Sequence, residues 1–365
     1  MTIDDIALSL HRGLGAKVIA RLVDHFGSAT EVYAAGENAL VELGVKRNIA
    51  QAIATRSTHA EAEAEQQTIL RRGLGVVAYG DELYPRMLRE VADRPHLIYY
   101  MGDISIMNRH TLAMVGTRNS TPYGTIMTDR IVEYLASRMP GMVVVSGLAF
   151  GTDSNAHRAA LRYGLPTAAI IPSPLPEIVP SEHAALARDI IAQGGVIISE
   201  YNSACRPTRN SFIARNRIIA GASEGTLVVE SKATGGSMST AEFALGYNRT
   251  LLALPGRATD IASAGTNKLI VGRQAAAVCS GEDVVREMYW DVEDKEVGLL
   301  LFDEPELSRE QRGILSYLSP SDPISVDTLA ERSGITAGEL AIMLVDMELD
   351  GVVKRLPGDC YLRLR

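Results

Sequence analysis

The chain has 365 residues, of which 46% are hydrophobic, and it carries a formal net charge of −8. This length allows two or three domains with ordinary hydrophobic cores, so neither disulfides nor a structural metal is needed for stability. The net charge excludes a protein coated in positive charge, as histone-like proteins are, although a local basic surface could still bind nucleic acid.

Three widely separated cysteines, Cys205, Cys279 and Cys360, have no metal-ligand spacing. So sparse and odd a set argues against a disulfide framework and a zinc site, and it favours a reducing compartment. The acidic N-terminal segment does not resemble a signal peptide, and no apolar run approaches the ~20 residues that cross a bilayer. We therefore expect a cytoplasmic protein without a membrane partner.

Residues 1–60 are predicted to form a helical domain. Apolar residues recur at helical spacing and are interrupted by glycine turns at residues 13–15 and 44–46. This pattern is typical of helix-hairpin-helix or SAM-like domains, whose turns can present backbone N–H groups to a phosphate. The glycines are equally compatible with a small packing domain that needs tight corners, and the sequence does not separate these two interpretations.

An α/β domain is predicted over residues 61–286, beginning with a polar connecting helix at 61–72. Short apolar runs alternate with amphipathic stretches, as in repeated strand–helix–strand units. Near-continuous Val and Ile runs indicate a parallel sheet buried on both faces, hence an extended Rossmann-like, doubly wound fold. The predicted strands are 75–79, 97–101, 112–115, 142–145, 167–171, 196–199, 226–229, 251–254 and 276–278. The predicted helices are 123–137, 153–163, 182–193, 212–222, 239–247 and 265–271.

The acidic segment 287–303 lacks clear periodicity and is predicted to be a linker. Residues 304–365 contain three helical stretches and a turn between two short strands, which predicts a winged helix-turn-helix. Residues 303–365 carry seven basic and twelve acidic side chains, and the predicted recognition helix at 336–349 has no Lys or Arg. We therefore expect this domain to contact protein, or the rest of the chain, rather than to read DNA bases.

Four loops at the predicted carboxyl ends of strands combine glycine with hydroxyl or cationic side chains. Ligands of open parallel sheets bind at this edge, and such loops hold phosphate because glycine lets backbone N–H groups approach closely. The segment 206–217 has four arginines and no acid. Glycine turns can be purely geometric, but four of them on one edge favour phosphate binding. The candidate residues are Gly116, Thr117, Arg118, Asn119, Ser146, Gly147, Gly151, Arg215, Asn216, Arg217, Lys232, Gly236 and Ser237.

No pattern indicates a catalytic or metal centre. The chain has neither a P-loop nor G-x-G-x-x-G after its first strand, so no nucleotide cofactor is expected. His157 could act as a base near a helix start, although a packing role is the alternative. Binding without bond-making chemistry therefore fits the sequence best.

Several motifs, taken together, resemble the DNA-processing protein A (DprA/Smf) family. They are Gly116-Thr117-Arg118, Ser146-Gly147-Leu148-Ala149, Ala214-Arg215-Asn216-Arg217, Gly236-Ser237-Met238-Ser239 and Leu254-Pro255-Gly256. The resemblance spans about residues 75–280. It implies a protein of natural transformation and recombination that binds and protects single-stranded DNA and helps to load the RecA recombinase. It also implies a homodimer formed through the Rossmann-like domain and a DNA phosphate pocket at the candidate residues.

Two other functions stay open. Gly235-Gly236 with Thr240 and Glu242 loosely resembles a motif of nucleoside-monophosphate phosphoribohydrolases, in which a Gly-Gly pair is followed by Thr and then by a catalytic Glu. A transcription regulator that senses a nucleotide and acts through the winged helix is the third possibility, which the acidic recognition helix disfavours.

Overall fold

A computed structural model describes residues 1–290, 307–319, 323–349, 352–356 and 358–363. It divides into two compact units, Met1–Asp291 and Val292–Arg365. Among the described residues, no helix has both the length and the apolar character needed to cross a bilayer.

Six helices begin the first unit: α1 (Ile3–Leu10), α2 (Ala16–Phe26), α3 (Ala29–Ala34), α4 (Gly36–Glu42), α5 (Arg47–Ala54) and α6 (His59–Arg72). Their buried faces form one cluster with Leu97, Tyr99 and Ile197, which belong to the sheet that follows. The boundary predicted at residues 60 and 61 stays a prediction; this point lies within α6, which shares its hydrophobic core with the five helices before it.

Within residues 1–290, nine strands form one sheet in the order β1-β2-β6-β5-β4-β3-β7-β8-β9. The strands are β1 (Gly75–Ala78), β2 (Leu97–Gly102), β3 (Thr111–Val115), β4 (Val143–Ser146), β5 (Thr167–Ile170), β6 (Val196–Ser199), β7 (Gly225–Val228), β8 (Thr250–Ala253) and β9 (Ala276–Ala277). The seven strands from β6 to β9 in this order are mutually parallel, which confirms the predicted α/β fold.

The two strands at one end of the sheet are the exception to the predicted parallel arrangement. β1 is antiparallel to β2, and β2 is antiparallel to β6. Parallel neighbours need a crossover, usually a full helix. Between β1 and β2 the chain has only the four-residue α7 (Arg86–Arg89), so it returns as an antiparallel pair.

Helices cover both faces of the parallel region, as the doubly wound prediction requires. Leu112 and Met114 of β3 pack on one face, with α8 (Pro122–Arg138), α9 (Thr152–Arg162) and α14 (Gly281–Glu287). Ala113 and Val115 point to the other face, with α11 (Arg209–Gly221), α12 (Gly236–Gly246) and α13 (Ala264–Val271). The helix α10 (Ala184–Ala192) packs beside β6 in the cluster shared with the N-terminal helices.

Two helices begin three residues earlier than predicted, and both lie at the sheet's carboxyl edge. Thr208 caps α11 through a capping box with Ser211, so the helix starts at Arg209 rather than at Phe212. Gly235 precedes α12, which starts at Gly236 rather than at Ser239. Each earlier start extends a regular helical face toward the loops that carry the candidate residues.

The second unit is a winged helix, as predicted. Its helices are α15 (Arg309–Leu315), α16 (Val326–Ser333) and α17 (Ala337–Leu349), and its strands are β10 (Ile324–Ser325), β11 (Val353–Leu356) and β12 (Cys360–Arg363). The strands pair in the order β10-β12-β11. Leu329, Leu340, Leu344 and Met347 are fully buried in its core.

A hydrogen-bonded pair joins the first helix to the start of β2. The Asp5 carboxylate lies 2.9 Å from Nε2 of the buried His96 and also accepts the backbone N–H of Thr2 at 2.6 Å. Burial opposes ionisation of Asp5, but its hydrogen bonds with His96 and Thr2 outweigh this effect and lower the pKa of the carboxyl.

We expect Asp5→Asn to lower the free energy of unfolding at pH 7 by about 1–2 kcal/mol, because it removes a charged acceptor from a buried histidine. A carboxyl with a lowered pKa stabilises the fold above its unfolded pKa, and this contribution disappears as the pH falls through the folded pKa. The difference from wild type, measured by urea unfolding, should therefore shrink below about pH 4. Glu63→Gln, at an exposed position, serves as the control. A difference that stays constant down to pH 3 would contradict this account.

Candidate nucleic-acid interface

A cleft of about 840 Å³ opens at the carboxyl edge of the sheet, between the loops that follow β3 and β7. The strand order reverses at β3, with β4, β5 and β6 on one side and β7 and β8 on the other. Ligands of open α/β sheets bind at such a switch point. The cleft is lined by Val115, Gly116, Thr117, Arg118, Ala149, Asp153, Arg209, Phe212, Ile213, Arg215, Asn216, Ile219, Ser231, Lys232, Thr234, Gly235, Gly236, Ser237, Ser239 and Thr240.

The structure brings most of the predicted site residues together in this cleft. Those in the lining are Gly116, Thr117, Arg118, Arg215, Asn216, Lys232, Gly236 and Ser237. Those outside the lining are Asn119, Ser146, Gly147, Gly151 and Arg217.

The first loop of the cleft follows β3 and comprises residues 116–121. Arg118 is its exposed cation. Its guanidinium carbon lies 5.5 Å from the centroid of the Phe212 ring, a cation–π contact between the loop and α11. The loop is tied to β7 by the Thr117 N–H, which donates to the Glu230 carbonyl at 2.8 Å. Asn119 is exposed beside it, and its N–H donates to the Thr117 side chain at 3.2 Å. The contact with Phe212 therefore positions a solvent-accessible charge at the cleft.

The second loop of the cleft follows β4 and comprises residues 147–151. Its polar groups, and the Ser146 hydroxyl before it, form hydrogen bonds within the protein. The Ser146 hydroxyl donates to the Met114 carbonyl at 2.7 Å. The N–H groups of Gly147 and Ala149 donate to Oδ2 of Asp153, at 3.1 Å and 3.4 Å. Ser146 and Gly147 thus support the cleft wall and do not offer these donors to a ligand.

A buried cation forms the floor of the cleft. The Arg215 side chain donates to the carbonyl of Gly147 at 2.6 Å and to that of Ile170. Burial lowers its pKa to about 10, with Asp153 acting in the opposite direction, so the guanidinium stays charged at neutral pH. Burial likewise raises the pKa of the Asp153 carboxyl, against the influence of Arg215.

Close approach explains why the second loop contains glycine. A Cβ on Gly147 would lie 2.6 Å from both Nη2 of Arg215 and Oδ2 of Asp153. Gly151 has a φ of 74°, and a Cβ there would lie within 2.6 Å of backbone atoms of the first loop. Both glycines therefore hold the two loops and the buried cation close together.

The loop after β7 (residues 229–235) and α12 add neutral donors. The Ser237 hydroxyl donates to that of Ser231 at 2.9 Å, and the Asn216 amide donates to the Ser239 hydroxyl at 3.1 Å. No side chain of the described residues caps the N–H groups of Gly236 and Ser237 at the start of α12, whereas the Met238 N–H donates to the Gly235 carbonyl at 3.0 Å. Lys232 is exposed next to them.

Arg217 serves a different purpose from Arg215. It forms an ion pair with Glu200 in which the side chains are only 11% and 14% exposed, away from the cleft lining. Residues two apart on a helix do not share a face, so one arginine reaches the cleft floor and the other pairs internally. Of the four arginines in 206–217, Arg209 and Arg215 line the cleft and Arg206 does not.

Sequence reasoning omitted several lining residues from the site, notably Asp153, Arg209 and Ser239. The cap at Thr208 was the available signal for α11. With the helix starting at Arg209, residues 209, 212 and 216 fall on one face by helical periodicity. Asp153 accepts two backbone N–H groups in the loop after β4, a role that only the folded loop reveals.

The two residues considered for catalysis lie outside the cleft lining. His157 is fully buried, with Nδ1 2.7 Å from the Thr167 hydroxyl, and burial lowers its pKa to about 3. It is therefore a neutral packing residue. Glu242 is exposed on α12. In the described part of the chain, no group of three or more His, Cys, Asp or Glu side chains is placed to hold a metal.

The cleft is positively charged within an acidic chain. Its lining includes four cations (Arg118, Arg209, Arg215, Lys232) and one carboxylate (Asp153), a balance of +3. Backbone and hydroxyl donors surround these charges, which suits an anion with several oxygen atoms. The first unit is thus a Rossmann-like domain with a positively charged cleft, and a winged helix follows it in the chain.

The comparisons with known proteins agree with this class. The family model described as DNA recombination-mediator protein A matches residues 75–289, and that of the DprA winged helix domain matches residues 302–359. This chain belongs to the DNA recombination-mediator protein A (DprA) family, which confirms the resemblance noted from its motifs.

Relatives and solved structures extend the similarity over most of the chain. The Smf protein of Escherichia coli is 33% identical over 289 residues, covering 78% of this chain and 76% of that protein. The structure of DprA from Streptococcus pneumoniae aligns with a TM-score of 0.68 and 29% identity, over 79% of this chain and 98% of that one. A structure concerned with single-stranded DNA binding by the Helicobacter pylori protein aligns with a TM-score of 0.53 and 31% identity, over 60% and 96%.

The packing around Gly147 gives a direct test of the cleft floor. We expect Gly147→Ala to lower the free energy of unfolding by about 1–3 kcal/mol, because the new methyl group displaces two buried, hydrogen-bonded side chains. Gly236→Ala is the matched control, since a Cβ at this position meets nothing within 4 Å. Urea unfolding of both variants measures the difference. Equal stability of the two would show that the floor is not packed as described.

Proposed function

We propose that this protein binds single-stranded DNA through the phosphate backbone, in the cleft at the carboxyl edge of the sheet, during natural transformation and recombination. The observation that carries the proposal is the +3 balance of the cleft lining in a chain of net charge −8. A polyanion is attracted to such a local concentration of cations even when the whole molecule repels it.

The arrangement of the cations suits a ligand with many phosphates. Arg118, Arg209 and Lys232 are exposed and can each approach a different phosphate, whereas Arg215 adds charge from beneath. Such contacts carry no sequence information, so affinity should vary little among DNA sequences.

Exposed apolar side chains at the cleft favour the single-stranded form. The half-buried Phe212 and the exposed Ile213 line it, and Phe150, outside the lining, is 45% exposed on the loop after β4. Bases can stack on such groups only when they are unpaired. The Helicobacter pylori relative, whose structure concerns its single-stranded DNA binding mode, supports the same choice.

Family membership extends the proposal to partners. We propose that the protein protects incoming DNA and helps to load the RecA recombinase, and that it forms a homodimer through the Rossmann-like domain. Ile261, which precedes α13, and Val271, its last residue, are 72% and 83% exposed and offer apolar surface for such a contact. Sedimentation of wild type and Val271→Asp would test the dimer, and RecA filament growth on coated single-stranded DNA would test loading.

We also propose that binding proceeds without bond-making chemistry. The phosphoribohydrolase alternative needs a carboxylate at the ligand, but Glu242 is exposed on α12 and does not line the cleft. Incubation with nucleoside monophosphates should therefore release no free base. Release that Glu242→Gln abolishes would establish the enzymatic alternative.

Arg118→Ala should weaken binding of single-stranded oligonucleotides roughly tenfold, because it removes a charge-assisted contact to phosphate. Loss of one phosphate contact should also reduce the slope of log affinity against log salt by about 0.7. Fluorescence anisotropy at several salt concentrations, with oligonucleotides of different sequence, measures both quantities.

Arg130→Ala removes an exposed arginine of α8 outside the cleft and is the matched control. It should leave the affinity and the slope nearly unchanged. The proposed site is wrong if the two variants behave alike, or if Arg118→Ala affects only one DNA sequence.

A further inference from the structure

The outward face of α17 in the winged helix carries an apolar stripe. Ile342 and Val345 are 68% and 48% exposed, whereas Leu340, Leu344 and Met347 of the same helix are fully buried. At 3.6 residues per turn, Gly338, Ile342 and Val345 share the side opposite the core. Large apolar side chains clustered on an exposed helix face mark an interaction surface more often than isolated ones do.

Carboxylates flank this stripe. Glu339 and Asp346 lie on one side of it and Glu348 on the other, all exposed. Glu339 also accepts the Thr336 hydroxyl at 2.7 Å, and Glu348 accepts the Arg355 N–H of the wing at 3.1 Å. Among the described residues, Asp346 makes no such hydrogen bond. The face is therefore apolar along its centre and negative at its borders.

This face is poorly suited to DNA, although α17 occupies the position of a recognition helix. Most base readout in the major groove uses Arg, Lys, Asn, Gln, Ser or Thr, and residues 337–349 contain none of these; the Glu and Asp residues of this helix could accept only from the amino group of cytosine. The flanking carboxylates would also face phosphates of the same charge. A DNA duplex is thus disfavoured as the occupant on both hydrogen-bonding and electrostatic grounds.

A second copy of the same face is also poorly suited. In a two-fold symmetric contact each carboxylate border would meet the equivalent border of the other copy. Such juxtaposed like charges oppose association. The charge pattern instead complements a partner that is positive where α17 is negative.

We propose that α17 docks a helix of another protein, one with an apolar stripe bordered by Lys and Arg. The apolar side chains of that helix would cover Ile342 and Val345, with its cations beside Asp346, Glu339 and Glu348. This is the helix-in-groove mode of recognition, in which residues spaced by three and four form the anchors. The inference is independent of the DNA-binding cleft, since it uses only residues of the winged helix.

The test uses the full chain and three synthetic helical peptides as probes. One has leucines at i, i+3, i+4 and i+7 bordered by lysines, the second has glutamates in place of the lysines, and the third is a scrambled form of the first. Fluorescence anisotropy measures their affinities. We expect the lysine-bordered peptide to bind at least about tenfold more tightly than either of the others.

Two variants assign the binding to α17. The double substitution Ile342→Ser with Val345→Ser should weaken binding of the lysine-bordered peptide about tenfold, as expected for loss of buried anchors. Tyr317→Ser, which removes another exposed large apolar side chain of the same unit (40% exposed), should not weaken it. Circular dichroism melting establishes that each variant is folded.

A charge variant provides the reciprocal test. Glu339→Gln with Asp346→Lys keeps an acceptor at the capping position while making the border positive, so it should shift the preference toward the glutamate-bordered peptide. The proposal is overturned by any of three results: equal affinity for the lysine- and glutamate-bordered peptides, no loss in the Ser variant, or loss of duplex DNA binding in the Ser variant. Dimerisation of wild type that the Ser variant abolishes would identify a second copy as the occupant and would also overturn it.

Discussion

The cleft depends on one buried cation. Arg215 is 4% exposed, and burial of a charge is unfavourable unless its donors are satisfied. Here the guanidinium donates to carbonyls from the ends of β4 and β5. It thereby fixes the second loop against α11, while Asp153 orders the same loop from the other side through two N–H groups. Removing either partner would leave the other charge buried and uncompensated, so the loop geometry and the charge of the floor are coupled.

This coupling divides the cationic residues into two roles. Arg215 organises the floor and contributes a fixed positive potential, whereas Arg118, Arg209 and Lys232 remain exposed to meet a ligand. Arg118 is itself positioned by the Phe212 ring, so its contact geometry is partly set before a ligand arrives. Such preorganisation reduces the entropy lost on binding. A flexible arrangement of the same charges would bind a polyanion less tightly.

Much of the fold was predictable because strand and helix patterns are local. Short apolar runs located all nine strands of the first unit, and the rule that ligands bind at the carboxyl ends of parallel strands located the loops that line the cleft. What local patterns do not contain is the partner of each side chain. Arg215 and Arg217 look equivalent in sequence, yet one reaches Gly147 and the other Glu200, a difference set by their faces on α11. Likewise, the hydroxyl of Ser146 looked available to phosphate, but Met114 on the neighbouring strand accepts it. The antiparallel edge was missed because the decisive feature was the length of a connecting helix rather than strand composition.

The two units carry surfaces of opposite sign, and this difference separates their ligands. The cleft is positive and the borders of α17 are negative, so DNA bound in the cleft as proposed would not compete for the face of α17. Because the units belong to one chain, a helix docked on α17 would be present at raised effective concentration near DNA bound in the cleft. Recruitment would then need only modest affinity at α17, consistent with a stripe of two exposed large apolar residues rather than a wide hydrophobic groove. The acidic residues of the winged helix would then repel DNA from the face of α17 and leave this face available to a protein partner.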